Sequence, residues 1–155
     1  MRKEEFCIED AFRVEKNDEV LFISIQPRFC ELIRKGEKTV ELRKRLPKKL
    51  PKFAIVYESA PTKKATFIIK IRKFDAAPTK VIWERYSKRC AISKSHFDEY
   101  YRGSKQSVAL IIEKVMPLGQ SISRKVLEKY SLAPPQDYRY ATKEEIMNIM
   151  KVRSK

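Results

Sequence analysis

The apolar run at residues 20–25 is rich in strand formers, and Pro27 follows where a first helical turn tolerates proline. Phe29, Leu32 and Ile33 then share a helical face, and Gly36 supplies a stop. Strand, short helix and glycine turn are the predicted opening. Residues 39–43 change to period two, with Val40 and Leu42 on one side and Thr39, Glu41 and Arg43 on the other. Pro47 and Pro51 bracket a lysine-rich loop. Residues 53–58 and 65–74 read as two strands around Ser59-Ala60-Pro61-Thr62, an antiparallel hairpin. Short helices are expected at 78–86 and 93–101, with Gly103 closing the second, and a last strong strand at 108–115. Helical spacing returns at 122–130 and 143–150, separated by an extended connection that Pro134-Pro135 imposes. The order predicts a β-rich α+β fold with a mostly antiparallel sheet, since helical crossovers are too few for a doubly wound one. Residues 19–155 read as a single domain behind a polar N-terminal extension, residues 1–18.

Charge changes the picture most. Thirty-five Lys and Arg residues against 20 Asp and Glu give a formal net charge of +15, a field that attracts polyanions. Only three glycines are present, so phosphate-cradling loops have little to work with and no cofactor is expected. Cys7, Cys30 and Cys90 are odd in number and widely spaced, and His96 is the only histidine. Neither a disulfide framework nor a zinc site is indicated. Cys30 sits among apolar neighbours and reads as a packed thiol. No stretch has the length of a membrane span and no signal core follows the charged first residues. A cytoplasmic protein is expected, or a nuclear one in a eukaryotic source.

The segment Gly36-Glu37-Lys38-Thr39-Val40-Glu41-Leu42-Arg43 carries G-x-K-x-x-E-x-R after a strand and a short helix. Tyr57-Glu58-Ser59-Ala60-Pro61-Thr62-Lys63, Tyr100-Tyr101-Arg102-Gly103 and Pro134-Pro135-Gln136-Asp137-Tyr138-Arg139-Tyr140 follow in order. Together, over about residues 20–142, they resemble the activating signal cointegrator homology (ASCH) family of the PUA-like superfamily. The resemblance implies a PUA-like pseudo-barrel of mostly antiparallel strands with flanking short helices. It also implies a cleft beside residues 36–43, and RNA or modified nucleosides as ligands.

The residues themselves are compatible with such a cleft. Glu41 and Arg43 lie two apart on one strand face and can position each other or grip a polar ligand. Lys38 can offer an ammonium to a phosphate or carbonyl. The plainer alternative is a structural Glu41–Arg43 ion pair beside a solvated Lys38. Arg43, Lys44, Arg45, Lys48, Lys49, Lys52, Lys63 and Lys64 could contact several phosphates. Tyr57, Tyr101, Tyr138 and Tyr140 are candidate stacking surfaces, and Arg139 and Ser59 complete the candidate RNA-binding set. Phe22, Phe53, Phe67, Phe74 and Trp83 read as core.

Two functions of different class follow. The first is an RNA or single-stranded nucleic-acid binding module, open to modified nucleosides, with no membrane partner and no defined protein partner. The second is a small hydrolase acting on RNA or on a modified nucleoside, with Lys38 and Glu41 as its catalytic pair. Related amide hydrolases carry a threonine nucleophile where this chain has Glu41, which argues against that particular mechanism. Glu84 or Glu99 would have to supply a second acid. A coregulator role, suggested by the family name, finds no separate motif here.

Overall fold

In a computed structural model, residues 19–142 and 144–146 are described. The elements run β1 (Val20–Ile25), α1 (Pro27–Arg34), β2 (Val40–Arg43), β3 (Phe53–Glu58), β4 (Lys64–Pro78), α2 (Thr79–Tyr86), α3 (Lys94–Tyr100), β5 (Gln106–Ser123), α4 (Arg124–Lys129) and β6 (Tyr138–Ala141). They form a β-rich α+β fold. One six-stranded sheet has the order β2-β5-β4-β3-β1-β6. β1 and β3 pair in parallel, whereas the other neighbouring strands are antiparallel.

Local sequence explains the opening. Pro27 starts α1 with its ring at the first turn, where a missing N–H costs nothing. Gly36 then takes φ of +76°, a left-handed conformation that glycine adopts without strain. This turn delivers Lys38 and β2 to one edge of the sheet. Period two in β2 sends Val40 and Leu42 into a cluster with Ile82, Tyr86 and Phe97 of α2 and α3. Glu41, opposite Leu110 of β5, faces the other way, toward α1.

That α1 face holds Leu21, Ile23, Ile25, Val56, Phe67 and Ile69 against Cys30 and Ile33 of the helix. The opposite face carries a second apolar patch, with Phe22, Ile55, Tyr57, Ile68 and Met116 covered by Leu127 of α4 and by Leu132. β4 and β5 pair from Lys64 and Ser123 to Pro78 and Gln106, with three register shifts along the way. Such irregularities bend a sheet and increase its twist. The result is a curled half-barrel whose two edge strands, β2 and β6, approach each other without a ladder between them.

The hairpin of β3 and β4 forms as predicted. The last long strand differs from expectation: it runs to Ser123, because Met116, Pro117, Ile122 and Ser123 continue to pair with β4 around an irregularity. The following helix therefore starts at Arg124, where the Ser123 hydroxyl accepts the Val126 N–H and caps it. Residues 138–141 form β6, which the apolar pattern did not reveal. Residues 144–146 are helical, as the spacing implied. The remainder of the expected 143–150 helix and the 1–18 extension lie outside the described residues.

Candidate nucleic-acid interface

The Gly36 turn and β2 bring three of the expected side chains together. Lys38 is 2% exposed, and its ammonium donates to the carbonyls of Cys90 at 2.6 Å and Val40 at 2.9 Å. It also stands 5.1 Å from the centre of the Phe29 ring and 3.9 Å from Glu41 Oε2. Lys38 is therefore not the solvated cation of the plainer sequence reading. The Cys90 and Val40 carbonyls, the Phe29 ring and Glu41 hold it inside the fold.

Glu41 is 8% exposed. Its Oε1 accepts the Leu42 N–H at 3.3 Å and lies 3.8 Å from Arg43 Nη2. Oε2 is buried with no hydrogen-bond partner among the described residues, and so is Arg43 Nε. Arg43 donates from Nη1 to Asp137 Oδ1 at 2.8 Å and from Nη2 to the Ser24 carbonyl at 2.9 Å. Burial opposes the Arg43 charge, but Glu41 and Asp137 outweigh it and raise the pKa above the usual arginine range. Lysine, glutamate, arginine and aspartate thus alternate in sign across the gap between β2 and β6.

Three further hydrogen bonds close that gap. The Tyr138 hydroxyl donates to the Arg45 carbonyl at 2.9 Å. The Tyr140 hydroxyl donates to the Lys49 carbonyl and accepts the Lys49 N–H, both at 2.7 Å. The proline-bracketed loop, residues 44–52, is consequently strapped along β6 and fills the seam. Arg45, Lys48 and Lys49 are exposed on it.

At the Arg43 end of the seam stand two aromatic rings with cations above them. Lys44 Nζ is 4.9 Å from the Tyr100 ring centre, and Arg45 Cζ is 5.4 Å from that of Tyr138. Tyr100 is 37% exposed. Burial raises its hydroxyl pKa, with Arg43 opposing and Asp137 and Glu41 adding to the rise. The ring therefore belongs to the same electrostatic neighbourhood as the buried cluster.

Other predicted residues sit elsewhere. Tyr57 is 3% exposed on the face opposite α1, edge-on to Phe22 with ring centres 6.4 Å apart. Parity along β3 sends it there, and it offers no open face to a base. Arg139 lies over that same Phe22 ring at 5.4 Å and pairs with Glu145. Tyr101 is buried and serves as a buttress, its hydroxyl donating to the Arg43 carbonyl at 2.9 Å. Ser59 ties the β3–β4 turn to β1, its N–H donating to the Ile25 carbonyl at 3.0 Å. Lys63 is exposed on that turn and its carbonyl accepts the Arg124 N–H on the α4 side. Glu84 and Glu99 are exposed on α2 and α3, and Glu99 pairs with Arg102.

Five participants carry no local signal in the sequence. Tyr100 adjoins Tyr101, and only the helix geometry shows which ring turns outward. Asp137 and the Ser24 carbonyl come to Arg43 from far along the chain. The Arg34–Glu58 pair, with N–O contacts of 2.8 and 3.3 Å, lies behind Cys30. Burial, with Glu58 adding, drives the Cys30 thiol pKa upward, so this thiol is packed and unreactive. Among the described residues no group of three His, Cys, Asp or Glu side chains converges as a metal site. Nor is any described helix long and apolar enough to cross a membrane.

A curled sheet of six mostly antiparallel strands, plugged by a short helix and carrying a buried Lys-Glu-Arg cluster at its seam, defines the class. Comparison with known proteins agrees. The ASCH domain family model matches residues 23–130, and this chain belongs to that family. An ASCH domain-containing ribonuclease from Zymomonas mobilis is 25% identical over 136 residues, covering 85% of this chain and 90% of that one. The crystal structure of ASCH from Zymomonas mobilis superimposes with a TM-score of 0.77 at 24% identity, covering 86% of this chain and 94% of that one. The large ribosomal subunit protein uL22 of Ureaplasma parvum is 31% identical over 101 residues, and the match spans 64% of this chain and 32% of that protein.

Proposed function

We propose that this chain binds RNA as a single strand, entering at the Arg43 end of the seam. The observation that carries this reading is the pair of cation-topped rings, Tyr100 under Lys44 and Tyr138 under Arg45, flanking the buried Glu41 and Arg43. Single-stranded RNA is held by base stacking on aromatic faces together with cations that track its phosphates. Both components meet here. Arg45, Lys48 and Lys49 take phosphates, and a base or modified nucleoside sits against the two tyrosines. Buried Glu41 Oε2 and Arg43 Nε then offer it an acceptor and a donor. The relative described as a ribonuclease supports RNA as the ligand class.

That relative also favours a second reading, hydrolysis of the bound RNA. Glu41 is the carboxylate placed to act as base, and Arg43 the cation beside it. Lys38, committed to two carbonyls, holds Glu41 in position in either reading.

The test is fluorescence anisotropy of a labelled 12-nucleotide RNA at two salt concentrations, with the same RNA followed for cleavage in a chelator. Each phosphate contact on a single strand contributes about 0.7 to the log–log salt slope, so Lys48→Gln/Lys49→Gln lowers the slope by about 1.4. Salt-insensitive or absent binding overturns the proposal. Cleavage that Glu41→Gln abolishes without loss of affinity selects the second reading.

A further inference from the structure

The loop between β2 and β3 buries its prolines and exposes its leucines. Cation, leucine and proline occur twice in it, as Arg45-Leu46-Pro47 and Lys49-Leu50-Pro51. Both prolines are buried, whereas Leu46 is 46% and Leu50 60% exposed. The straps hold the loop this way round. Tyr138 fixes the Arg45 carbonyl and Tyr140 fixes both backbone groups of Lys49, in each case one residue before the leucine. Among the described residues the exposed large apolar side chains are these two leucines and Tyr100, and Lys44 joins Tyr100 to the same loop. Leucines exposed singly need no explanation, but apolar side chains gathered in one place and rimmed by polar groups mark a contact surface.

That rim is positive. Lys44, Arg45, Lys48 and Lys49 are all exposed. The described carboxylates paired with them are Asp137, 3.9 Å from Arg45 and shared with Arg43, and Glu19, 3.4 Å from Lys49. Two carboxylates against four exposed cations leave positive charge in excess, with those pairs counted. The complementary occupant is therefore a segment that interleaves carboxylates with apolar side chains.

This chain contains such a segment. Residues 4–19 hold seven carboxylates against two cations, net −5, whereas residues 20–155 hold 31 cations against 13 carboxylates, net +18. Phe6, Ile8, Phe12 and Val14 alternate with those acids. Glu19, the last of them, is the residue that meets Lys49, so the segment is tethered at one end of the loop face. Counted back from Glu19, residues 4–18 reach up to about 50 Å at about 3.3 Å per residue, while the step from Leu46 to Leu50 is at most about 14 Å. Reach is not limiting, and a short tether gives an effective concentration that is roughly millimolar.

Building on the RNA-binding reading, we infer that residues 4–18 dock on the loop face made by Leu46, Leu50 and Tyr100 and screen its cations from RNA. The acidic segment meets the charges that phosphates need, and the leucines hold it there when no RNA is present. RNA binding is thus autoinhibited: a strand must displace the chain's own competitor before it reaches Arg45, Lys48 and Lys49.

The experiment places a nitroxide at Cys7 of the full chain, Cys30 and Cys90 being buried, and reads which backbone amides it broadens. Amides of residues 44–52 are expected to broaden, to sharpen again when a 12-nucleotide RNA is added, and to stay sharp in Leu46→Ser/Leu50→Ser. Both leucines are exposed, so that variant should keep its fold, which thermal melting checks. Broadening that spares 44–52, or none at all, overturns the inference whether or not the protein binds RNA. The second arm measures affinity for the same 12-mer after Glu4, Glu5, Glu9, Asp10, Glu15 and Asp18 are changed to their amides in the full chain. A segment docked about 90% of the time lowers apparent affinity about tenfold, so the amide variant should bind about tenfold tighter. In the Leu46→Ser/Leu50→Ser background the same changes should gain much less. An equal gain in both backgrounds overturns the inference, because the acids would then act only through the overall field. Loop broadening in a protein that binds no RNA supports the docked segment and removes the RNA-binding reading instead.

Discussion

The β4–β5 ladder and the β2–β6 seam close the same half-barrel by different means. Thirteen residue pairs align in the ladder, from Lys64 and Ser123 to Pro78 and Gln106, and backbone bonds hold it. The seam has no ladder and is closed by Arg43, Tyr138 and Tyr140 reaching across to backbone and carboxylate partners. Backbone pairing is insensitive to individual side chains, whereas a seam made of three side chains can be undone by one. The seam is also where the charges and open aromatic ring gather, so the weakest closure and the proposed RNA site coincide. Sites that must admit a ligand are drawn from the less stable parts of a fold.

The largest effect is expected from Arg43→Ala, which leaves Glu41 buried with one cation fewer and releases Asp137 and the Ser24 carbonyl. Removing one partner of a buried pair costs about 3–5 kcal/mol, read as a shift in the denaturant midpoint. Lys38→Met keeps the volume but deprives the Cys90 and Val40 carbonyls of their donor and Glu41 of its neighbour. A loss of about 3 kcal/mol is expected from the same reasoning. By contrast, Lys94→Gln at the exposed Asp98 pair on α3 should cost under about 1 kcal/mol. If Arg43→Ala were as mild as Lys94→Gln, the seam would not depend on its side chains.

Tyr138→Phe and Tyr140→Phe remove one strap each, worth about 0.5–1.5 kcal/mol per hydrogen bond. Their signature is local: amide exchange of residues 44–52 should accelerate, while β4 and β5 amides stay as protected as in wild type. Uniform acceleration across the sheet would show that the seam and ladder open together.

A smaller effect comes with acid. The Tyr86 hydroxyl donates to Asp75 at 2.6 Å, burial opposes it and Arg85 assists, and together these hold the carboxyl below the usual aspartate pKa of 3.8. Arg139 similarly holds Glu145 below the usual glutamate pKa of 4.5, against burial. A carboxylate with a depressed folded pKa stabilises the native state above its unfolded pKa. That contribution fades as pH falls through the unfolded value toward the folded one. Stability should therefore decline below about pH 4.5, and Asp75→Asn should flatten part of the decline. An identical acid limb in Asp75→Asn would remove Asp75 from the cause.

Much of this was legible in the chain, for identifiable reasons. Period two placed Val40 and Leu42 opposite Glu41, and the proline and glycine at 27 and 36 bounded α1. The order of motifs resembled the ASCH family, whose model matches residues 23–130. What could not be read depends on distance along the chain. Nothing near Asp137 announces that Arg43, 94 residues earlier, will meet it. β6 is four half-buried residues without an apolar run, and it exists because β1 and the loop offer partners. Tyr57, Tyr100 and Tyr101 look alike in sequence, yet strand parity and helix phase bury two and expose one.

The most direct test of the central claim is photo-crosslinking of a 4-thiouridine-containing single-stranded RNA to the full chain, with the modified peptides identified by mass spectrometry. Adducts at Tyr100, Tyr138 and residues 44–49 are predicted, with competition by unlabelled RNA. Adducts confined to α4 and the Lys63-Lys64 turn, leaving the seam untouched, would contradict the account.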